Sequence, residues 1–366
     1  MSKRVSALDA TLRALGAEME EWNDMDVPIS YPIDPDGERD AVRNAIGMWD
    51  TSALKNIRVR GPDALATVDH LATRTMSKIY VGKSAYTPIL KDDGHFCDDA
   101  YIYHVKEDEF IVVHGTGQTK ERVQESAEGK NVEVESDDDT HMISVQGPKS
   151  IDLLDAHASA DLRAVKFCHQ IDTALFGTNV MISRTGFSGE RGYEVFTPAK
   201  DAAAIWQQLM EHGKPMGLLP VDFTGLDKVH VESALLFYGA EATEENTPWE
   251  VNCAWAVSRK KGDFRGKDAL FALEGKEKIK LCGIEAEHDG ALDPESELLI
   301  DGDNVGHITS AAYLRSTGKS LALVHLTPSV ATEGTRLTVK SKYVECAASV
   351  VRTPFIDPEK KHLHAA

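Results

Sequence analysis

The chain has 366 residues, of which 42% are apolar, and a formal net charge of −19 because 59 acidic side chains outnumber 40 basic ones. This length allows about two or three domains with packed cores. Such an acidic chain repels a phosphate backbone, which argues against nucleic-acid binding and leaves solubility as the simpler explanation of the charge. No run of 18 or more apolar residues occurs, and the first residues carry charges where a secretory signal needs an apolar stretch. We therefore expect a soluble, cytoplasmic protein that does not span a membrane.

The cysteines and histidines indicate neither a disulfide framework nor a metal site. The five cysteines are widely spaced and form no CxxC pair, which favours free thiols in a reducing compartment. The histidines form no HExxH motif, and an isolated histidine is more often a core or surface residue than a ligand. We expect no metal.

The first half of the chain alternates helix and strand signals. Leu8, Leu12, Leu15 and Met19 recur at helical spacing, which predicts an amphipathic helix over the first twenty residues. Alternation over residues 57–60 predicts a strand, and the Gly-Pro-Asp that follows opens a second helix. The segments AYTPILKD, CDDAYIYHV and FIVVHG come next, and the turn residues between them predict an antiparallel meander.

The same strand-to-helix pattern occurs twice, and the end of the chain differs from both. Residues 57–64 read IRVRGPDA and residues 143–150 read ISVQGPKS, which predicts two similar α+β units. Helices are expected over residues 202–212 and in LPVDFTGLDKVHVESALL, and a strand in WEVNCAWAVS. From residue 280 onward, short strands separated by Gly, Asp and Asn turns predict a small β-barrel or sandwich.

Two carboxylates lie inside predicted strands. In YEVF, the period of two puts Glu194 on the face of Phe196, and a covered carboxylate there needs a donor, from either an internal arginine or a ligand with paired N–H groups. In CDDAYIYHV, Asp99 shares a face with Tyr101 and Tyr103, whereas Asp98 belongs to the other face. Asp99 could exchange a proton with an amine in a cleft, or be an ordinary turn carboxylate.

Several common catalytic signatures are missing from the sequence. GTGQ at residues 115–118 does not continue to GxGxxG, and no GxxxxGK[ST] occurs, so a dinucleotide fold or a P-loop is not supported. GFSGE at residues 186–190 lacks the final glycine of a GxSxG elbow. Chemistry at a serine nucleophile is therefore not expected.

The segment RTGFSGERGYEVF, residues 184–196, resembles the RTGYTGExGxE segment of the aminomethyltransferase family. This family comprises the tetrahydrofolate-dependent T-protein of glycine cleavage and its demethylase and oxidase-domain relatives. Further similar segments follow in the family's order, and together they cover most of the chain. They are TLRALGAEM, GMWDTS, RGPDAL, DDGHFCDDAYIYHV, FIVVHG, SVQGPKS, LLFYGAE, DFRGKDAL and GHITSAAYLRSTGKSLALVHL.

The resemblance implies an α+β fold, a three-domain cloverleaf of two ferredoxin-like α+β units and a C-terminal β-barrel around a central hole. The first unit, expected to bind folate, would be discontinuous and comprise residues 1–53 and 141–255. The second unit would comprise residues 54–140, and the barrel residues 275–366.

The resemblance also implies a site. Glu194 matches the family's pterin-binding glutamate, and the catalytic aspartate falls on Asp99, with Asp98 as the second candidate. Further cofactor contacts are expected from Tyr86 and from three positions that depart from the family pattern: Phe187 for a tyrosine, His114 for an asparagine and His230 for an arginine. Aromatic residues that could line a small-substrate pocket, or equally belong to the core, are Trp22, Tyr31 and Trp49.

The function implied is transfer of a one-carbon unit to tetrahydrofolate, most simply a methyl group from a small methylated amine, sulfonium or ether to give methyl-tetrahydrofolate. The alternative within the family is the aminomethyltransferase of glycine cleavage, which needs a lipoyl carrier protein as partner. A folate-binding scaffold without transferase activity is the third hypothesis, and it is disfavoured because the chain lacks a KGCYxGQE-like motif and retains Asp99.

Overall fold

A computed structural model describes residues 3–365 of the chain. None of its helices is both long and apolar enough to cross a lipid bilayer. The helices are α1 (Asp9–Ala14), α2 (Pro35–Asn44), α3 (Ala64–Leu71), α4 (Thr119–Ala127), α5 (Ser150–Asp155), α6 (Ala199–Gly213), α7 (Phe223–Glu232) and α8 (Lys267–Leu273). The strands are β1 (Glu18–Trp22), β2 (Met25–Ser30), β3 (Ile46–Asp50), β4 (Lys55–Arg60), β5 (Lys83–Leu90), β6 (Phe96–Lys106), β7 (Glu109–His114), β8 (Glu133–Ser136), β9 (Thr140–Gln146), β10 (Gln170–Leu175), β11 (Thr178–Ser183), β12 (Gly192–Pro198), β13 (Leu218–Pro220), β14 (Lys280–Ala286), β15 (Glu297–Ile300), β16 (Asp303–Leu314), β17 (Lys319–Leu326), β18 (Arg336–Lys340) and β19 (Glu345–Val351).

The larger sheet has six strands in the order β10-β11-β12-β9-β3-β13. Strand β13 runs parallel to β3, and the other neighbours are antiparallel. One face of this sheet packs against α6, with Tyr193, Val195 and Trp206 in a common apolar core. Because successive side chains of a strand alternate between faces, Glu194 points to the opposite face.

The smaller sheet has five strands in the order β5-β6-β7-β4-β8. Helices α3 and α4 cover one face through a core that includes Val68, Val123 and Phe110. The other face carries Tyr103, which packs with Met142 and Phe196 of the larger sheet. The uncovered face of each sheet therefore points toward the other sheet.

The C-terminal part forms a closed barrel in the order β14-β17-β16-β15-β18-β19. Its interior is filled by branched apolar side chains such as Ile284, Val324 and Val339. The predicted α+β fold with a C-terminal β-barrel is confirmed. The larger sheet takes strands from residues 46–50 and 140–220, and the smaller sheet takes its strands from residues 55–136. The domain boundaries drawn from the sequence stay a prediction.

The predicted N-terminal helix is too long. Helix α1 ends at Ala14, and Met19 belongs to strand β1. Gly16 follows the helix with a φ of 86°, the left-handed conformation with which glycine ends many helices. A Cβ at this position would lie 3.1 Å from Pro32 Cγ, so the chain turns there although the apolar spacing continues.

The strand predicted in WEVNCAWAVS is wrong. Residues 249–258 form turns and a short 3₁₀-helix at Ala254–Ala256. Asn252 has a φ of 59°, which extended strand backbone does not tolerate. The indole N–H of Trp249 donates to the Leu270 carbonyl at 2.8 Å, so side-chain bonding to α8 replaces a strand ladder here.

A buried ion cluster joins α2, α7 and the end of the chain. Glu232 is 3% exposed and its Oε2 accepts from Arg39 Nε at 3.0 Å and from Arg43 Nε at 2.8 Å. Arg43 also donates to the Ser188 carbonyl at 2.7 Å. The backbone carbonyl of Glu232 accepts from the Phe355 amide at 3.1 Å. Four separate segments are therefore connected through one glutamate.

We expect Glu232→Ala to lower the free energy of unfolding by about 3 kcal/mol, because it removes the buried carboxylate that both arginines share and leaves Arg39 paired only with Asp40 and Arg43 only with Glu190. The measurement is urea unfolding followed by circular dichroism. Glu274→Ala, which breaks an exposed pair with Arg259, is the control and should unfold almost as the native protein does. Equal midpoints for the two variants would contradict this role of Glu232.

Candidate active site

A cavity of about 1100 Å³ lies between the two sheets, α7 and the barrel. We call it the central cavity. Its volume is slightly above the usual range for small-molecule sites, about 300–1,000 Å³. Its walls contain many aromatic side chains and a few carboxylates. The residues that line it include Trp22, Trp49, Arg74, Lys83, Tyr86, Asp99, Tyr101, Tyr103, Phe187, Glu194, Phe223, Phe237 and Trp255.

Glu194 faces the central cavity without a cation. Its Oε2 accepts hydrogen bonds from the hydroxyls of Thr185 and Tyr103, the latter at 3.2 Å. Neither an arginine nor a lysine of residues 3–365 forms an ion pair with it, so the internal-arginine alternative does not apply. Burial raises the pKa of this carboxyl, and the two hydroxyls oppose that rise. Oε1 accepts no hydrogen bond from the described chain.

The surroundings of Glu194 follow from strand register. Ser144 lies opposite Glu194 on β9, and Trp49 lies opposite Ser144 on β3. Directly opposed residues point to the same face of a sheet, so Trp49 lies beside Glu194 at a distance of two strands, roughly 10 Å. A flat ligand bound to Glu194 would therefore extend across the sheet towards an indole.

Asp99 lies on the opposing wall. Strand alternation puts it on the face of Tyr101 and Tyr103, as predicted, and four residues of strand separate Asp99 from Tyr103 by about 13 Å. The Tyr86 hydroxyl donates to Asp99 Oδ2 at 2.8 Å. Burial, with a contribution from the charge of Asp98, raises the pKa of Asp99 to about 7, while the Tyr86 hydrogen bond opposes the rise. A carboxyl with this pKa can hold or release a proton near neutrality.

Asp98 and His114 belong to the far face of the same sheet. Asp98 is fully buried, and its Oδ2 accepts from His114 Nδ1 at 2.8 Å and from the Thr119 hydroxyl at 2.7 Å. His114 pairs with Ala100 across the strands, so its ring points away from Asp99 even though the residue borders the central cavity. The cofactor contact predicted for His114 and the catalytic role considered for Asp98 are thus not supported by their side-chain positions.

Aromatic rings form a continuous wall of the central cavity. Trp22 lies 5.6 Å from Phe223 and 6.1 Å from Phe237, measured between ring centroids. Phe187 lies 6.4 Å from Phe237. The sequence indicated Trp22 and Phe187, whereas Phe223 and Phe237 were missed because they are ordinary apolar residues of a helix and a loop. Only the fold brings them to the cavity.

The prediction that Tyr31 lines a small-substrate pocket is wrong. It is buried in the core beneath the larger sheet and does not line the central cavity. Its amide donates to Asp222 Oδ2 at 2.6 Å, which fixes the segment between β2 and α2 against the start of α7. Tyr31 therefore acts in packing, and of the three predicted aromatic residues Trp22 and Trp49 reach the cavity.

The cofactor contact predicted for His230 is also not supported, because His230 does not line the central cavity. Its ring stacks on Phe187 at 5.8 Å from outside the central cavity wall. Its Nε2 lies 3.4 Å from Glu241 Oε2, an ion-pair contact without hydrogen-bond geometry. Burial opposes the charged imidazolium, but the contacts with Asp227 and Glu241 outweigh burial and raise the pKa of His230 to about 9. The charged imidazole therefore packs against the side of the Phe187 ring that faces away from the central cavity.

The end of the chain contributes a wall that sequence reasoning missed. Residues from 353 to 364 border the central cavity. Arg184 and Arg191 donate to the Ala365 carbonyl, Arg191 at 3.1 Å, and His362 Nδ1 lies 3.1 Å from Glu190 Oε1. The segment FIDPEKKHLH carries no pattern that predicts this position. The available sequence signal was the presence of two arginines, Arg184 and Arg191, in RTGFSGERGYEVF, because both bind this segment.

Comparison with known proteins agrees with this architecture. Residues 8–261 match the model of the GCVT N-terminal domain, and residues 280–357 match that of the glycine cleavage T-protein C-terminal barrel domain. The chain belongs to the glycine cleavage T-protein family. The family resemblance found in the sequence is thereby confirmed.

Relatives within the T-protein family carry two kinds of name. A heme-dependent oxidative N-demethylase gamma subunit from Ectopseudomonas mendocina is 40% identical over 369 residues, covering 98% of both chains. An aminomethyltransferase from Saccharopolyspora erythraea is 33% identical over 361 residues, covering 97% of this chain and 98% of the relative. The crystal structure of aminomethyltransferase T from Bartonella henselae matches with a TM-score of 0.90 at 22% identity, covering 98% of this chain and 99% of the other.

Membership in the T-protein family makes this chain an enzyme of folate-dependent one-carbon transfer. The residues of the central cavity fit a tetrahydrofolate. A pterin offers an amino group and a ring N–H on one edge, which matches a carboxylate that has a free oxygen and no cation, as Glu194 has. The tyrosines and Trp49 supply flat apolar surface beside it. Residues 3–365 contain no group of three or more His, Cys, Asp or Glu side chains suited to a metal ion.

The raised pKa of His230 predicts a pH dependence of stability. A protonated state favoured in the folded protein contributes stability below pH 6.5, and this contribution is lost as the pH rises towards about 9. The free energy of unfolding of the native protein should therefore decrease from pH 6.5 to about pH 9. The free energy of unfolding of His230→Gln should decrease less over the same range. Urea unfolding at several pH values measures the difference. Parallel curves for the two proteins would exclude a charged His230.

Proposed function

We propose that this enzyme transfers a methyl group from a small N-methylated amine to tetrahydrofolate, giving methyl-tetrahydrofolate. The observation that carries the proposal is the pair of carboxylates in one cavity, Glu194 without a cation and Asp99 with a pKa of about 7. Among the donors considered, amine, sulfonium and ether, the amine is favoured because a relative covering 98% of both chains is named an N-demethylase subunit.

Glu194 would bind the pterin and set its orientation. Its Oε2 is fixed by Thr185 and Tyr103, so the free Oε1 is held in one direction. A bound ligand supplies N–H donors to a carboxylate whose burial has raised its pKa, and such charge-assisted hydrogen bonds are about twice as strong as neutral ones. Orientation matters because holding two reactants in the correct geometry can lower the activation barrier by about 7–11 kcal/mol.

Asp99 would manage the proton at the reacting nitrogen. The methyl carbon would form its new bond to a tetrahydrofolate nitrogen as its bond to the donor nitrogen breaks, so the demethylated amine leaves with that electron pair and takes up the proton released. The Asp99 carboxylate, oriented by the Tyr86 hydroxyl at 2.8 Å, can accept a proton from the folate nitrogen or stabilise its charged form. The distance of about 13 Å from Asp99 to Tyr103 along β6 leaves room for a pterin between Asp99 and Glu194.

The methylated amine would bind against the aromatic wall. The Trp22 ring lies 5.6 Å from Phe223 and 6.1 Å from Phe237 between centroids, and alkylammonium groups bind to aromatic rings by cation–π attraction. The same wall suits a neutral amine through apolar contact. This group, Trp49 and Glu194 all line the central cavity, so donor and folate would share one cavity of about 1100 Å³.

A second candidate is capture of the one-carbon unit at the oxidation level of formaldehyde, giving methylene-tetrahydrofolate. Two observations favour it: one relative is named an oxidative N-demethylase gamma subunit, and others are named aminomethyltransferases. In the first case a partner subunit would release the carbon. In the second a lipoyl carrier protein would bring it.

We expect activity to depend on the ionisation of Asp99. Because the carboxylate is the acceptor, kcat/KM should rise as the pH increases through about 7. Tyr86→Phe removes the hydrogen bond that favours the carboxylate, so the inflection should move to higher pH. Tyr101→Phe, which removes a hydroxyl not bonded to Asp99, serves as control. An unchanged inflection in Tyr86→Phe would rule out this coupling.

Calorimetric titration with tetrahydrofolate tests the folate site. Glu194→Gln should weaken binding by about tenfold to a hundredfold, as expected for loss of a hydrogen bond to a charged group. Glu333→Gln, another cavity carboxyl, is the matched control and should bind normally. Mass spectrometry of the folate product after incubation with methylated amines then separates the candidates. Methyl-tetrahydrofolate supports the first, and methylene-tetrahydrofolate from formaldehyde or an aminomethyl donor supports the second.

A further inference from the structure

Residues 357–365, which we call the strap, lie along one side of the central cavity. The strap follows Phe355 and Ile356, whose amides donate to the Glu232 carbonyl at 3.1 and 3.2 Å. It contains turns but neither a helix nor a strand, and none of its residues is buried. Segments with few buried apolar contacts open locally at a much lower free energy than the whole domain. The strap can therefore detach while the rest of the fold stays intact.

Polar contacts attach the strap to a single loop, residues 184–191. The guanidinium groups of Arg184 and Arg191 donate to the Ala365 carbonyl at 2.6 and 3.1 Å, and His362 Nδ1 lies 3.1 Å from Glu190 Oε1. The three side chains of the loop are buried, whereas 52% of the His362 side chain is exposed. An exposed polar contact contributes little net free energy, because water replaces each partner when the contact breaks. The attached position is thus favoured but reversible.

Bonds within the strap give it one compact shape. The Asp357 side chain accepts from the His362 amide at 2.6 Å, and the Asp357 carbonyl accepts from the Lys360 amide at 2.8 Å. Asp357 and Lys360 have φ values of 45° and 55°, a left-handed conformation that residues other than glycine adopt at a cost. The internal hydrogen bonds compensate for that cost, so the strap would move as a unit.

The inner side of the strap borders the space in which a folate would lie. Asp357, Leu363 and His364 line the central cavity, and the His364 ring lies 5.0 Å from the ring of Phe167, another cavity residue. His362 differs from these residues, because it attaches the strap to the loop but does not line the cavity. Its attachment can therefore be changed without removing a ligand contact.

The loop that holds the strap also orients Glu194. Thr185, next to Arg184, donates its hydroxyl hydrogen to Glu194 Oε2, and Phe187 of the same loop lines the central cavity. A ligand that completes the hydrogen bonding of Glu194 would stabilise this loop, and the loop would in turn stabilise the attached strap. Binding at Glu194 and attachment of the strap are thus connected through adjacent residues.

We propose that the strap detaches from Arg184, Glu190 and Arg191 to admit tetrahydrofolate and closes again over the bound molecule. This inference rests on the proposed folate site. Lids of this kind keep water from the reacting groups and often limit the release of ligands. A folate held behind the closed strap can leave only after the strap has detached, so the stability of the closed position sets the rates of entry and release.

The experiment measures the rates of tetrahydrofolate binding and release by the whole chain in a stopped-flow instrument, without a methyl donor. Tryptophan fluorescence reports binding, since Trp22, Trp49 and Trp255 line the central cavity. In His362→Ala, which loses the contact with Glu190, both rate constants should rise by about twofold to tenfold, the factor expected for one net hydrogen bond. The Kd should change little, because the closed strap is weakened equally in the free and in the bound protein.

Glu359→Ala is the matched control within the same strap. The Glu359 carboxylate lies 3.5 Å from Arg352 at the surface, away from the loop, and does not line the central cavity. This variant should keep the native rates. Hydrogen exchange of the strap amides gives a second readout in the native protein. Exchange should slow when tetrahydrofolate is added, because the bound molecule favours the closed strap.

Native rates in His362→Ala, or exchange in the strap that tetrahydrofolate does not slow, would overturn the proposal while leaving the folate site intact. Native rates would mean that the folate passes another side of the cavity, such as that of the exposed Trp255. Absence of tetrahydrofolate binding in calorimetry would instead overturn the proposed function and this inference with it.

Discussion

The central cavity depends on one buried glutamate that is fully compensated. Glu232 accepts from Arg39 and Arg43, and Arg43 extends the contact to the Ser188 carbonyl. A buried carboxylate is tolerated only with such partners, so α2, α7 and the loop before β12 must take these positions together. The end of the chain is bound to the same glutamate through backbone amides. The walls of the cavity are thus fixed by charge as much as by apolar packing.

The carboxylates inside the central cavity lack such full compensation. Glu194 receives two hydroxyl hydrogen bonds and Asp99 receives one, and neither has a cation within the described chain. Burial raises the pKa of both groups. Such incomplete compensation costs stability, and it is common at sites where a ligand completes the hydrogen bonding. Glu232 is thus paired inside the protein, whereas Glu194 keeps one carboxylate oxygen available to a ligand.

The departures from the family pattern acquire physical explanations from the packing around them. His230, where the sequence resemblance implied an arginine, lies against Glu241 and stacks on Phe187, so it provides no free cation to the cavity. Within residues 3–365, Arg74 and Lys83 form no ion pair, and both line the cavity. His114 bonds Asp98 on the far face of β6, where it holds the strand that carries Asp99.

The sequence by itself determined the fold class and the family, and it indicated Glu194 and Asp99 as candidate site residues, because strand alternation and the collinear motifs are local properties of the chain. It determined that Asp99, Tyr101 and Tyr103 share a face. It did not determine that Tyr31 and His230 lie outside the cavity, that Phe223 and Phe237 line it, or that residues 353–364 close one side. Those positions result from contacts between segments far apart in the chain, such as Tyr31 with Asp222 and His230 with Glu241. Only the tertiary structure decides such pairings, because a side chain's hydrogen-bond partner depends on the packing of whole domains and not on its neighbours in sequence.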